Sequence, residues 1–292
     1  MLSDPPHLTS PTVVADLLRR RGLRPPRRRG QNVRVDANVL QRVVDAAALD
    51  PAEAVFEIGA GLGVLTRALA TRCRGVLTVE VDSGLCALLR EETLAGLSHV
   101  TLLHADFLDL DLRAELTAAL GPGPYPVVAN LPYSITTPAL TRILEHPDLF
   151  RRAVLMVQRE VADRLLASPG TRDYGSLTLF VQFHADLRRV CSIPRRAFLP
   201  VPDVESTLIQ VDLREAPRFP DVDPECYFSL VHAAFGQRRK TLANALAPAL
   251  PRLDRPAIAA LLTTARIAPG RRGETLSPEE FAALARVCKG AG

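Results

Sequence analysis

The sequence predicts an α/β protein, a mostly parallel sheet with helices on both faces, followed by a small all-α domain. Three observations carry this. Short apolar runs alternate with segments of helical periodicity from residue 54 to about residue 167. Each of the first four apolar runs ends on a glycine or a polar residue. Beyond a turn-rich stretch at 215–224, only helical spacing is found. The expected division is 1–26 as an N-terminal extension with a helix, 27–214 as the catalytic domain and 215–292 as a small helical domain.

Ser10-Pro11 reads as an N-cap followed by an N1 proline, opening a helix through Val13, Val14, Leu17 and Leu18. Gly22 and Pro25-Pro26 end it and leave Arg27-Arg28-Arg29-Gly30 as a loop. Asp36 is placed to cap a second helix, with Val39, Leu40, Val43, Val44 and Ala47 along one side. Strands are expected at 54–58, 76–81, 100–105, 127–129 and 153–157. Helices are expected at 64–71, after Asp82, at 138–145 and at 158–167. Residues 177–184 and 205–213 read as β-rich. The last domain has helical patterns such as Phe228-Leu230-Val231-Ala234-Phe235 and Leu242-Ala245-Leu246.

Composition excludes several classes. No apolar run approaches the roughly 20 residues that span a bilayer, and residues 1–10 do not read as a secretory leader. Cys73, Cys86, Cys191, Cys226 and Cys288 are odd in number and widely scattered. They read as reduced thiols of a cytoplasmic protein, with no metal site expected. Of the net charge of +4, residues 1–30 hold seven Arg against two Asp. Residues 31–189 are mildly acidic and 190–292 basic, a distribution suited to a catalytic domain whose flanks meet a polyanion.

The loop Glu57-Ile58-Gly59-Ala60-Gly61-Leu62-Gly63 follows a strand. Glycines there allow a tight strand-to-helix turn and close approach of a ligand. The spacing is G-x-G-x-G, whereas a dinucleotide site needs G-x-G-x-x-G. Glu57 would also repel a pyrophosphate, while a sulfonium ligand without phosphate tolerates it. Glu80, at the end of the second strand, is placed to take both ribose hydroxyls of a nucleoside. Asp106, after the third, is placed to accept from an adenine amine. Together with Gly59, Gly61 and Gly63 these carboxylates favour S-adenosylmethionine, with S-adenosylhomocysteine as product.

Asn130-Leu131-Pro132-Tyr133 follows the fourth strand. An adenine N6 amine is a poor nucleophile because its lone pair is delocalised into the ring. The Asn130 side-chain oxygen and the Leu131 carbonyl offer acceptors for its two N–H groups. Pro132 holds Leu131 extended, and Tyr133 offers a face on which an extruded base can stack.

With these motifs in place, the chain resembles the ribosomal RNA adenine dimethyltransferases, and most of all their bacterial small-subunit type. The resemblance runs from about Arg28 to Phe281. It adds Gly30-Gln31-Asn32, Gln158-Arg159-Glu160, Asp173-Tyr174-Gly175, Phe198-Leu199-Pro200-Val201-Pro202 and Phe235-Gly236-Gln237-Arg238-Arg239-Lys240 to the loops above. It implies a Rossmann-like class I S-adenosylmethionine-dependent methyltransferase sheet. It also implies that Gln31 and Asn32, with Asn130, line the methionine end of the cofactor, and that Phe198 faces Tyr133 across the target base. Val33-Arg34 stand where the family has an aromatic and Leu, leaving backbone contacts at Arg34. The implied substrate is a pair of adjacent adenines in a hairpin loop near the 3′ end of 16S rRNA, within an immature small subunit. Arg28, Arg29, Arg238, Arg239 and Lys240 are candidate RNA contacts, the last three on a predicted helix. The protein is expected to act as a monomer, away from membranes. Two other readings stay open: methylation of one large-subunit adenine, as in macrolide resistance, and an assembly factor that binds the immature subunit.

Overall fold

Seven strands form one sheet in a computed structural model that describes residues 8, 10–23, 34–199 and 201–290. They are β2 (Ala54–Ile58), β3 (Gly75–Glu80), β4 (Val100–His104), β5 (Tyr125–Asn130), β6 (Phe150–Gln158), β7 (Ala185–Ile193) and β9 (Ser206–Leu213). Their order is β4-β3-β2-β5-β6-β9-β7. The pairs among β4, β3, β2, β5 and β6 are parallel, and β9 runs antiparallel to β6 with Met156 opposite Leu208. A separate two-residue ladder joins β1 (Arg34–Val35) to β8 (Phe198–Leu199), with Val35 in backbone register with Phe198. The sheet reverses its build direction between β2 and β5, so a crevice opens beyond their carboxyl ends at Ile58 and Asn130.

The chain divides into two compact units, one of residues 1–162 and 188–215, the other of 163–187 and 216–292. In the first, α2 (Ala37–Ala47) and α3 (Val64–Ala70) lay Val39, Val43, Leu65 and Leu69 against Val55, Val128, Val154 and Met156. Asp36 caps α2 by accepting from the Asn38 amide at 2.9 Å. Phe56 stacks on Phe150 at 6.0 Å and meets Phe107 at the same distance. Ser10 precedes α1 (Pro11–Arg20) but forms no side-chain cap; its hydroxyl lies 3.2 Å from Thr12 Oγ1 instead.

The second unit packs α8 (Ser176–His184), α9 (Pro224–Gly236), α10 (Leu242–Ala245), α11 (Arg255–Thr264) and α12 (Pro278–Gly290) around Tyr174, Phe183, Tyr227, Leu230 and Phe281. The segment Asp163–Leu187 belongs here, and not to the catalytic domain in which the sequence division at 214 placed it. Its Tyr174, Leu179 and Phe183 are buried among residues of α9 and α12. Residues 177–184, expected as strand, form α8. Their β-branched and aromatic content favours a strand, but Leu179 and Phe183, one turn apart, find their core only on a helix. Strand β7 was not foreseen, because on this sheet edge its side chains do not alternate cleanly between buried and exposed.

Candidate active site

Strand β2 hands the chain to the glycine loop through two amides, Gly59 and Ala60, which donate to the Val79 carbonyl at 2.8 and 3.3 Å. Gly59, Gly61 and Gly63 have φ of 82, 57 and 80°, the left-handed region that side chains disfavour. The three differ in role. A Cβ on Gly59 or Gly61 would meet nothing within 4 Å, so both present bare backbone to open space. A Cβ on Gly63 would lie 2.9 Å from Leu89 Cδ2. The third glycine is therefore a packing requirement.

Glu80 is 2% exposed and holds the loop from the end of β3. Its Oε2 accepts from the Gly61 amide at 3.0 Å, and its Oε1 from the Val81 and Asp82 amides at 2.9 and 3.0 Å. Burial raises its carboxyl above the ordinary value, against these hydrogen bonds. Glu57 lies deeper, fully buried on β2. The Thr66 hydroxyl of α3 donates to its Oε2 at 2.6 Å, and its Oε1 has no hydrogen-bond partner among the described residues. Burial pushes its carboxyl up to about 7, and the Glu80 charge adds to the shift. Glu57 does not line the pocket; its hydrogen bond to Thr66 ties β2 to α3.

A pocket of about 330 Å³ opens here, bringing together Gly59, Glu80, Asp106, Pro132, Ser134 and Ile135, with Val79, Val81 and Phe107 as apolar wall. Asp106 is exposed, and its Oδ1 accepts from the Leu108 amide at 2.9 Å. Two carboxylates, bare glycine backbone and an apolar wall suit a cationic nucleoside ligand without phosphate, so these residues fit S-adenosylmethionine. Ser134, Ile135, Val81 and Phe107 escaped sequence reasoning. Only their adjacency to Tyr133, Glu80 and Asp106 pointed to them.

Asn130 is half-buried at the last register position of β5, opposite Met156. The Leu131 amide extends that edge by donating to the Met156 carbonyl at 3.3 Å, and its side chain is buried. Pro132 is extended (φ −56°, ψ 136°), and its carbonyl accepts from the Ile135 amide and the Thr136 hydroxyl at 3.1 and 3.2 Å. That closes a tight turn over Tyr133–Ile135, with Tyr133 half-buried and its hydroxyl 3.4 Å from Ser206 Oγ.

Phe198 stands apart from the expected aromatic clamp. It is 1% exposed, packed in the core that includes Val39, Val43, Met156 and Leu208. No ring pair joins it to Tyr133 among the described residues. Arg28, Arg29, Gln31 and Asn32 lie outside the described residues, and Arg34 is placed only as backbone in β1.

In the second unit the cluster Arg238-Arg239-Lys240 lies in the turn after α9, not on a helix. Arg238 is engaged: Nε donates to Glu274 Oε2 at 2.8 Å and Nη2 to the Arg172 carbonyl at 2.6 Å. Arg239 and Lys240 are exposed and make no ion pair among the described residues. Among those residues, no group of three His, Cys, Asp or Glu is arranged to hold a metal ion, and no helix is long and apolar enough to cross a membrane.

Comparison with known proteins agrees with this geometry. The sequence model of a family described as ribosomal RNA adenine dimethylase matches residues 25–288. A ribosomal RNA small subunit methyltransferase A from Pelotomaculum thermopropionicum is 44% identical, over 95% of this chain and 96% of its own length. One from Geobacter metallireducens is 43% identical, over 94% and 99%. Among solved structures, a dimethyladenosine transferase from Plasmodium falciparum shares the fold, with a TM-score of 0.72 at 24% identity over 86% of this chain and 94% of its own. The 23S rRNA methyltransferase ErmE has a TM-score of 0.67 at 29% identity, over 89% and 100%. The chain is a methyltransferase and belongs to the ribosomal RNA adenine dimethylase family.

Proposed function

We propose that the protein transfers methyl groups from S-adenosylmethionine to N6 of two adjacent adenines in a hairpin loop near the 3′ end of 16S rRNA. Each adenine becomes dimethyladenine, and the substrate is the immature small subunit. The observation that carries this reading is the single pocket in which the glycine loop, Glu80 and Asp106 adjoin the turn after Asn130. The small-subunit specificity is supported by relatives at 43–44% identity that bear that name across nearly the whole chain.

Glu80 would take the ribose hydroxyls, and Asp106 would accept from the adenine amine of the cofactor. Gln31, Asn32 and the backbone at Arg34 would complete the methionine end. When bound, the cofactor supplies a methyl group on a positively charged sulfur. The Asn130 side-chain oxygen and the Leu131 carbonyl accept the two N–H groups of the target amine, which localises its lone pair on nitrogen. Tyr133 stacks on the extruded base and excludes water from one face. Positioning and electrostatic stabilisation carry the rate. Arg28, Arg29, Arg239 and Lys240 contact RNA phosphates. The protein works as a cytoplasmic monomer.

The test is methyl transfer from labelled cofactor to unmodified small subunits, followed by nucleoside analysis. Dimethyladenine at two adjacent positions is expected. Label confined to large-subunit RNA would favour the macrolide-resistance type of activity, and subunit binding without label would favour an assembly factor.

A further inference from the structure

We propose that the N-terminal helix α1 is a positioning element of the cofactor loop, acting through Arg21 and Leu23 on the segment that follows Glu80. This rests on the reading of Gly59, Gly61 and Glu80 as the cofactor site. An isolated ten-residue helix is marginal in water, so α1 is held by what it packs against. Val14, Leu17 and Leu18 are buried with Leu62 and Val64 of the glycine loop and α3, and with Leu85 and Leu88 of α4 (Ser83–Leu88). Leu62 sits between Gly61 and Gly63, so the loop shares one buried apolar cluster with this helix.

Two contacts extend the hold. Arg21 donates from Nε to Glu92 and from Nη1 to Glu91, both at 2.5 Å. These acids lie on the π-helical turn Leu89–Thr93, and Leu89 and Thr93 of that turn are the side chains nearest to Gly63. Leu23 bears on Gly84, where an added Cβ would lie 2.6 Å from Leu23 Cδ2. Gly84 is two residues beyond Asp82, whose amide binds Glu80. The helix thus reaches the cofactor loop by two routes, through Leu62 and through the turn next to Gly63, and Leu23 bears on the start of α4 at Gly84, just beyond β3. No residue of α1 lines the pocket, so the effect passes through other residues. The need is physical: Gly59, Gly61 and Gly63 contribute no side chains of their own to fix the loop.

The test compares Arg21→Glu with wild type for S-adenosylhomocysteine binding by calorimetry and for steady-state methyl transfer. Arg21→Glu is expected to raise the Kd and the cofactor KM roughly threefold to thirtyfold, the range for residues that act on a site without touching its ligand. The kcat at saturating cofactor and the KM for the small subunit stay unchanged. Adding Glu91→Arg and Glu92→Arg to Arg21→Glu restores tight binding, which a loss of bulk stability would not do. Should Arg21→Glu not fold, Arg21→Gln gives the same reading. A lowered Tm with unchanged Kd, or a shift in the subunit KM instead, overturns the proposal. Glu80→Ala separates the two levels. If it binds S-adenosylhomocysteine like wild type, the cofactor reading itself fails. If it loses binding while Arg21→Glu keeps it, only the role of α1 fails.

Discussion

Gly61 donates its amide to the Glu80 carboxylate at 3.0 Å, so the side chain that faces the pocket also fixes the centre of the glycine loop. Ligand recognition and loop geometry therefore share one group. Glu80→Ala leaves three backbone donors without their acceptor, and hydrogen bonds to charged groups are worth about 1.5–3 kcal/mol each. S-adenosylhomocysteine binding should weaken by about a hundredfold or more in calorimetry. Glu80→Gln should recover little, because its amide adds a donor where donors already converge.

Glu57 gives stability a pH dependence with a definite sign. Its folded carboxyl is raised from 4.5 to about 7 by burial, so between these values the folded state holds a proton that the unfolded state has lost. Stability contributed by this group is present below about pH 4.5 and lost as pH rises toward 7, by on the order of 1 kcal/mol per pH unit. Glu57→Gln should remove that slope and match or exceed wild type at pH 8. Thermal denaturation of both proteins from pH 5 to pH 8 checks it, and parallel curves would contradict it.

Asn130→Ala should abolish methyl transfer, by about a hundredfold or more in kcat, which is the scale of losing one placed polar group. Binding of S-adenosylhomocysteine should persist. Cofactor affinity lost in step with activity would place Asn130 in binding alone.

Tyr133 and Phe198 should separate into activity and stability. Phe198→Ala opens a cavity in the core and should cost about 3–5 kcal/mol in denaturant unfolding. Tyr133→Ala should lose activity with little loss of stability, and Tyr133→Phe should retain most activity because its hydroxyl contact with Ser206 is long. A stable but inactive Phe198→Ala would return Phe198 to the target base.

The basic turn after α9 should likewise split. Arg239→Glu with Lys240→Glu should weaken subunit binding and reduce its salt slope by about one per contact removed. Arg238→Ala should mainly lower the Tm, since Arg238 is spent on Glu274 and the Arg172 carbonyl. Filter binding across a salt series, with scanning calorimetry, tests both.

Parts of this were open to a reader of the sequence, for physical reasons. The strands around the crevice announce themselves because their apolar runs give way to polar residues where the chain leaves the sheet, such as Glu80 and Asn130. The cap at Asp36 is local and was legible for the same reason. Phe198 was not legible as core, since an aromatic in a motif reads alike whether it meets a base or Met156. Nor was Arg238, whose Glu274 and Arg172 partners are 36 and 66 residues away. The helix α8 was misread because local propensity and distant packing disagree there, and packing prevailed.

The second unit is assembled from two stretches of chain with the last strands of the sheet between them. On a ribosome making this protein, Tyr174, Leu179 and Phe183 emerge first and wait for Tyr227, Leu230 and Phe281 before they can be covered. Through that interval an apolar surface stands open to chaperones and to neighbouring nascent chains. An early stop near residue 215 would make the exposure permanent, so truncated products should aggregate or be degraded. They should not persist as a freestanding methyltransferase sheet.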